Sequence, residues 1–119
     1  MAKKRLLVVD DEVNQGLLYQ QELEDEGYEV DVLNSGREAL EMIKKTSYDL
    51  VILDIGMPEM DGLETLGRLL VIDNKIPVIL NTAYPSYKDN FMSWAADAYV
   101  VKSMDISVLK EKIKESLSK

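Results

Sequence analysis

At 119 residues the chain is long enough for one domain with a real core, and no apolar run approaches the ~20 residues that span a bilayer. It contains no cysteine and no histidine, which excludes disulfides, thiolate chemistry, Ser-His-Asp or Cys-His catalysis, histidine-ligated zinc and a histidine phospho-carrier role. A net charge of −8 repels nucleic-acid phosphates, so acid–base or metal work falls to carboxylates, lysine, hydroxyls and backbone.

Lys4 to Val9 is a short apolar run ending on Asp10-Asp11 and reads as strand one. Its apolar part, Leu6 to Val9, is too short for a secretory signal. Val13 to Glu26 follows as a helix, with Val13, Leu17, Leu18 and Leu23 as its apolar face and Gly27 as its stop. Tyr28 to Val32 alternates apolar and charged residues, the mark of a half-exposed strand at a sheet edge. Asn34-Ser35-Gly36 is a turn with a cap, leading into a helix over Gly36 to Lys45 with Leu40 and Ile43 inward.

Tyr48 to Asp54 is almost continuously apolar, so strand three is expected to be central. After a tight Gly56/Pro58 loop, Asp61 can cap a helix whose apolar face includes Leu63, Leu66 and Leu70. Ile76 to Thr82 is strand four, with Pro77 tolerable only near its start. Tyr87, Phe91 and Trp94 have the spacing of a short helix, and Ala98 to Val101 is strand five, ending on Lys102. Ile106, Leu109, Ile113 and Leu117 line one face of a last helix. This is strand–helix five times over residues 1–119, without repeat or linker. It predicts a single α/β domain, a doubly wound open parallel sheet with helices on both sides.

On that scaffold Asp10 and Asp11 follow strand one, Asp54 follows strand three, Thr82 ends strand four and Lys102 follows strand five. In doubly wound sheets ligands bind outside the carboxyl ends of the strands, where the winding reverses. Each residue taken singly has a plain structural reading: Asp10 and Asp11 as helix caps, Asp54 and Thr82 as turn residues, Lys102 as a solvated charge. Their joint placement on four strand ends argues for a site instead. If strands one and three are neighbours, three carboxylates converge, and a pair ~4 Å apart repels by about 4 kcal/mol at an effective dielectric near 20. Hard oxygen donors without histidine or cysteine favour Mg²⁺ (or Mn²⁺). A threonine donor and a lysine beside such an ion suit a phosphoryl group next to an aspartate.

Asp10-Asp11, Asp54 with Met57-Pro58 and Asp61-Gly62, Thr82-Ala83, Tyr99 and Lys102 together resemble the receiver domain of two-component response regulators, over essentially the whole chain. The resemblance implies a flavodoxin-like sheet of order 2-1-3-4-5 flanked by five helices. It implies that Asp54 accepts a phosphoryl group from a phosphohistidine of a sensor histidine kinase or histidine phosphotransfer protein. Asp11, Asp54 and the Gly56 carbonyl would ligate Mg²⁺, with Asp10 acting largely through water. Thr82 and the Ala83 amide would bind the phosphoryl oxygens, and Lys102 would pair with them. Thr82 and Tyr99 would form the switch that alters the helix four–strand five–helix five face for an effector domain or protein, or for a phosphorylation-dependent homodimer. Helix one, through Asn14, Gln15 and Leu18, would help to dock the phosphodonor. Expected with this are a cytoplasmic location, no nucleic-acid or membrane partner, and a regulatory role rather than turnover of a small substrate.

Two positions depart from the family pattern. Ser103 stands after Lys102 where proline is usual, which leaves the cis or trans state of that bond open. Gly56 offers no side chain to orient water and Tyr84 could shield the phosphoryl group, so self-dephosphorylation is expected to be slow. Three other functions fit less well. An aspartyl-phosphate phosphatase often carries a second acid where Gly56 stands. A flavodoxin-like cofactor binder needs a hydroxyl- and glycine-rich loop where Asp10-Asp11-Glu12 stands. A pseudo-receiver would lack core site residues, and all are present.

Overall fold

The structure, a computed structural model, describes residues 3–56, 62–83, 96–102 and 105–118. Leu50-Val-Ile-Leu53 has an apolar side chain at every position, and such a strand is stable only where both faces are covered. It forms β3 (Leu50–Leu53) and takes the middle of a five-stranded, all-parallel sheet. β1 (Arg5–Val9) pairs with it on one side and β4 (Val78–Thr82) on the other. The edges are β2 (Glu29–Leu33) beside β1 and β5 (Ala98–Val101) beside β4. The order is therefore 2-1-3-4-5, as the resemblance implied, and the alternating Tyr28–Val32 segment does lie at an edge. Pro77 precedes β4, where it loses no ladder donor and its carbonyl accepts from Val51 N–H at 3.0 Å.

Among the described residues two helices cover each face. α1 (Val13–Asp25) and α4 (Ser107–Leu117) pack Tyr19, Leu23, Leu109 and Ile113 against Leu6, Val8, Leu50, Ile52 and Ile79. On the other face α2 (Gly36–Lys45) and α3 (Gly62–Ile72) pack Ala39, Leu40, Leu66 and Leu69 against Leu7, Val9, Val51, Leu53 and Leu80. Four helices are thus seen among the described residues where five were expected. The short helix expected around Tyr87, Phe91 and Trp94 lies outside the described residues, as do Met57, Pro58, Asp61, Tyr84 and Ser103. Accordingly α4 is the last helix of the sequence reading.

Local signals set several boundaries. Ser35 caps α2 by accepting from Glu38 N–H at 3.1 Å. Gly27 follows α1 with φ 101°, a conformation that a side chain disfavours.

The inward face of α1 differs from the expectation. Val13, Leu17 and Leu18 are 58%, 53% and 51% exposed, and the buried residues are Gly16, Tyr19 and Leu23. Only Leu23 of the expected face is in the core. The cause is Gly16, which lies so close to Val32 on β2 that a Cβ would collide with it. That contact fixes the rotation of the helix and turns the three other apolar residues outward.

Candidate functional site

The ladder hydrogen bonds run past the strand ends and place the polar residues. Asp10 N–H donates to Leu33 O at 3.0 Å, Asp54 N–H to Val9 O at 3.0 Å, and Lys102 N–H to Thr82 O at 2.7 Å. Each residue is therefore held by its backbone at the carboxyl edge of the sheet before its side chain makes any contact.

The side chains then converge. One carboxylate oxygen from each of Asp10, Asp11 and Asp54 lies within 4.8 Å of the other two. Asp10 and Asp54 are buried, at 2% and 6% exposed, and Asp11 is half-buried. Lys102 Nζ donates to Asp10 Oδ2 at 2.8 Å and to Asp54 Oδ2 at 3.2 Å. The other oxygens of these two carboxylates accept backbone N–H groups, Glu12 to Asp10 Oδ1 at 2.9 Å and Gly56 to Asp54 Oδ1 at 3.2 Å. Glu12, not Asp10 or Asp11, is the residue before the first turn of α1, and its side chain makes no cap hydrogen bond. The capping role weighed for the two aspartates is therefore not what orders them.

The charges do not balance. One ammonium faces three carboxylates, which leaves the cluster two negative charges in excess if all are ionised. Burial pushes the Asp10 carboxyl above its ordinary value, against the hydrogen bonds from Lys102 and Glu12. Burial alone would lower Lys102, but its hydrogen bond to Asp10 and the charges of Asp54 and Asp10 prevail and hold it above its usual value. The cluster offers hard oxygen donors only and an uncompensated double negative charge, which fits Mg²⁺ (or Mn²⁺).

The remaining predicted residues lie on β4, on β5 and directly after β3 and β4. Thr82 is fully buried at the end of β4 and Ala83 beside it is exposed. Tyr99 is half-buried, pairs in register with Leu80 and packs with the α2–α3 core. Strand alternation places Thr82 and Tyr99 on the same face of the sheet. Gly56 is exposed and meets Asp54 through its N–H.

Three residues given no role of their own in the sequence also shape the site. Gly62, at the start of α3, sits against the backbone of Asp54 and Ile55, where a Cβ would clash with both. Its N–H donates to Ile55 O at 2.9 Å. Tyr19 and Asn81, 4% and 3% exposed, are buried close to one another near the cluster. The spacing of Gly16, Tyr19 and Leu23 was the available sign that Tyr19 points inward.

A parallel sheet of this order, carrying acidic side chains and a lysine at its carboxyl edge, defines a phosphoacceptor-type signalling domain, and the chain belongs to the response regulator receiver domain family, whose model matches residues 6–114. The transcriptional regulatory protein ZraR of Escherichia coli is 36% identical over 95% of this chain, which corresponds to 26% of that protein. YkoG of Bacillus subtilis, an uncharacterised transcriptional regulatory protein, is 39% identical over 98% of the chain and 52% of its own length. The chain thus spans about a quarter to a half of the curated relatives it matches. Among solved structures, the response regulator TrrA of Thermotoga maritima, in complex with Mg²⁺-BeF, is 50% identical with a TM-score of 0.93, covering 95% of this chain and 98% of that one. TrrA in complex with the histidine kinase ThkA gives a TM-score of 0.91 at 50% identity, covering 96% and 98% of the two chains. Among the described residues no helix is long and apolar enough to cross a membrane.

Proposed function

We propose that this receiver domain is switched by phosphorylation of Asp54. The observation that carries the reading is the convergence of Asp10, Asp11, Asp54 and Lys102, from three strand ends, on one point at the carboxyl edge. The donor is a phosphohistidine of a sensor histidine kinase or histidine phosphotransfer protein, and a chain without histidine is consistent with a donor on another molecule. The likeness to TrrA, solved in complex with Mg²⁺-BeF and with a histidine kinase, supports both the metal and the donor.

In the transfer, an Asp54 carboxylate oxygen bonds to phosphorus as the bond from phosphorus to the donor's imidazole nitrogen breaks, and the electron pair returns to that nitrogen. Asp11, Asp54 and the Gly56 carbonyl would hold Mg²⁺, with Asp10 acting largely through water. When bound, the ion neutralises charge on the phosphoryl oxygens and screens the carboxylates from one another. Thr82 and the Ala83 N–H receive the phosphoryl oxygens. Lys102 exchanges its contact with Asp54 for an ion pair with the incoming group. As Thr82 is drawn toward the phosphoryl group, Tyr99 on the same sheet face turns into the space it leaves. The face that includes β5 and α4 then changes for an effector domain or protein, or for a second copy of the chain.

The domain assists its own phosphorylation and its slow reversal and does not turn over a small substrate. It works in the cytoplasm through protein contacts, without direct nucleic-acid or membrane binding. Incubation with acetyl phosphate and Mg²⁺, followed by intact mass measurement, tests the reading. A gain of one phosphate that disappears in Asp54→Asn supports it. No gain in the wild type, or a gain that survives the substitution, sinks it.

A further inference from the structure

α2 and α3 meet at a close contact near their amino-terminal ends. Gly36, the first residue of α2, lies so near the buried Thr65 on α3 that a Cβ would collide with its hydroxyl. After that contact the two helices bound an open groove of about 530 Å³. Its apolar lining is Leu40 on α2 with Val71 and Ile72 on α3. Leu40 is buried, but Val71 is 86% exposed, more than any other large apolar residue among those described, and Ile72 is 38% exposed. One exposed valine needs no explanation. Two neighbouring β-branched residues facing water along one groove do, since they favour neither the helix nor its hydration.

The charges beside this strip run against the rest of the molecule. On a chain of net charge −8, the groove carries three cations, Arg37, Lys44 and Arg68, against Glu41 and Glu64. Arg68 pairs with Glu64 at 3.0 Å and Lys44 with Glu41 at 3.8 Å. The exposed Arg37 has no acidic partner among the described residues, which leaves one guanidinium open at the groove. A second copy of so acidic a chain is repelled at long range. The fitting occupant is one whose own charge is negative where it meets Arg37.

We propose that the α2–α3 groove docks an amphipathic helix of a partner protein, with its apolar face on Val71 and Ile72 and its acidic residues toward Arg37. A strip between two helices offers ridges and a groove to the apolar face of a third. The groove lies on the opposite side of the sheet from α1 and α4. It does not depend on Asp54 being the phosphoacceptor. A partner held there is nonetheless one helix from the site, because α3 begins at Gly62 against the backbone of Asp54.

A displayed library of helix-forming peptides of about 16 residues, selected on the whole chain, tests the proposal. The selected peptides are then titrated into isotope-labelled protein and followed by amide resonances. They are expected to carry Asp or Glu beside an apolar face and to shift the amides of α2 and α3. Val71→Asp should weaken their binding by about tenfold or more, and Arg37→Glu by about fivefold. Where Val71→Asp disturbs the helix, Val71→Thr keeps the side-chain shape, removes apolar surface and is judged on the same affinity. An empty selection overturns the proposal, as do selected peptides that are basic, that shift α1 and α4 instead, or that bind the Val71 variants as well as the wild type. Sedimentation of the chain alone is the second measurement. A dimer that is lost in Val71→Asp would give the groove to a second copy and overturn the proposal.

Discussion

Lys102 Nζ lies 2.8 Å from Asp10 Oδ2, so the cation that is to meet the phosphoryl group is held beforehand by a carboxylate expected to serve the metal. Lysine and metal therefore share the same negative charge. Lys102→Ala is expected to destabilise the Mg²⁺-free protein by up to about 3 kcal/mol, since it strands two buried carboxylates. Mg²⁺ should bind the variant more tightly than the wild type, because a competing cation has gone, while phosphate gain from acetyl phosphate slows. Urea unfolding with and without Mg²⁺ measures the first two. Equal Mg²⁺ affinity in both proteins would count against this account.

The excess of negative charge predicts a second, opposite response. Asp54→Asn relieves repulsion at the cluster and should stabilise the metal-free protein by about 1 kcal/mol, a rise of roughly 4 °C in melting temperature in the presence of a chelator. Adding Mg²⁺ should raise the wild-type melting temperature, since an ion that binds only the folded state stabilises it. That rise should shrink sharply in Asp54→Asn and in Asp11→Asn. Thermal scans of the three proteins, with chelator and with Mg²⁺, decide it.

Gly62→Ala probes how Asp54 is aimed. The added methyl would press on the backbone of Asp54 and Ile55, and overpacking of this kind costs about 1–3 kcal/mol. Mg²⁺ affinity should fall with stability, because the displaced backbone carries a ligand. Gly27→Ala is the control. It forces a side chain into a left-handed conformation at φ 101°, at a cost of roughly 1 kcal/mol, yet it is remote from the site and should leave Mg²⁺ binding unchanged. Parallel loss of Mg²⁺ affinity in both variants would refute the distinction.

The contrast between Gly27 and Gly62 also marks what could be read from sequence. Gly27, the Ser35 cap and the apolar run before Asp54 act through neighbours in the chain, so periodicity and turn chemistry located them. The site was legible for a related reason, since ionisable groups directly after apolar strands have few places to go in a parallel sheet. Gly16 acts through Val32, a partner distant in sequence, and Gly62, visible only as part of a motif, acts through the backbone of Asp54 and Ile55. Counting leucines favoured Val13, Leu17 and Leu18 as the inner face of α1, and one close approach to Val32 outweighed them. Side-chain contacts of that kind follow from the packed fold and leave only a faint periodic trace.

Alkaline pH should act through Tyr48. Burial raises its pKa well above the ordinary value, and its hydrogen bond to Asp31 Oδ2 at 2.7 Å adds to the effect, against the pull of Arg5 over its ring. A group whose pKa is raised in the folded state stabilises fully below its unfolded value, near 10 for tyrosine, and the contribution is lost as pH rises beyond it. Stability should therefore fall with pH above about 10. Burial raises Tyr19 and Tyr28 in the same direction. Tyr48→Phe should cost about 1 kcal/mol at neutral pH and flatten the alkaline slope. Urea midpoints between neutrality and high pH test this; an unchanged slope in the variant would show that Tyr48 is not the group responsible.

Gly56 bears on how long the phosphorylated state lasts. Loss of the phosphoryl group needs a water held in line with the bond to Asp54, and Gly56 meets Asp54 only through its N–H. It has no side chain with which to hold that water. The phosphorylated domain is accordingly expected to decay over minutes or longer. Because Gly56 is exposed, a longer residue there has room to reach the site from solvent. Gly56→Asn supplies a hydrogen-bonding group and should speed decay by about tenfold or more, with little change in the rate of phosphate gain. Removing acetyl phosphate and following intact mass with time measures both proteins. Decay of the wild type within seconds would show that water is positioned by another group, and an unaltered lifetime in Gly56→Asn would show that this position does not set it.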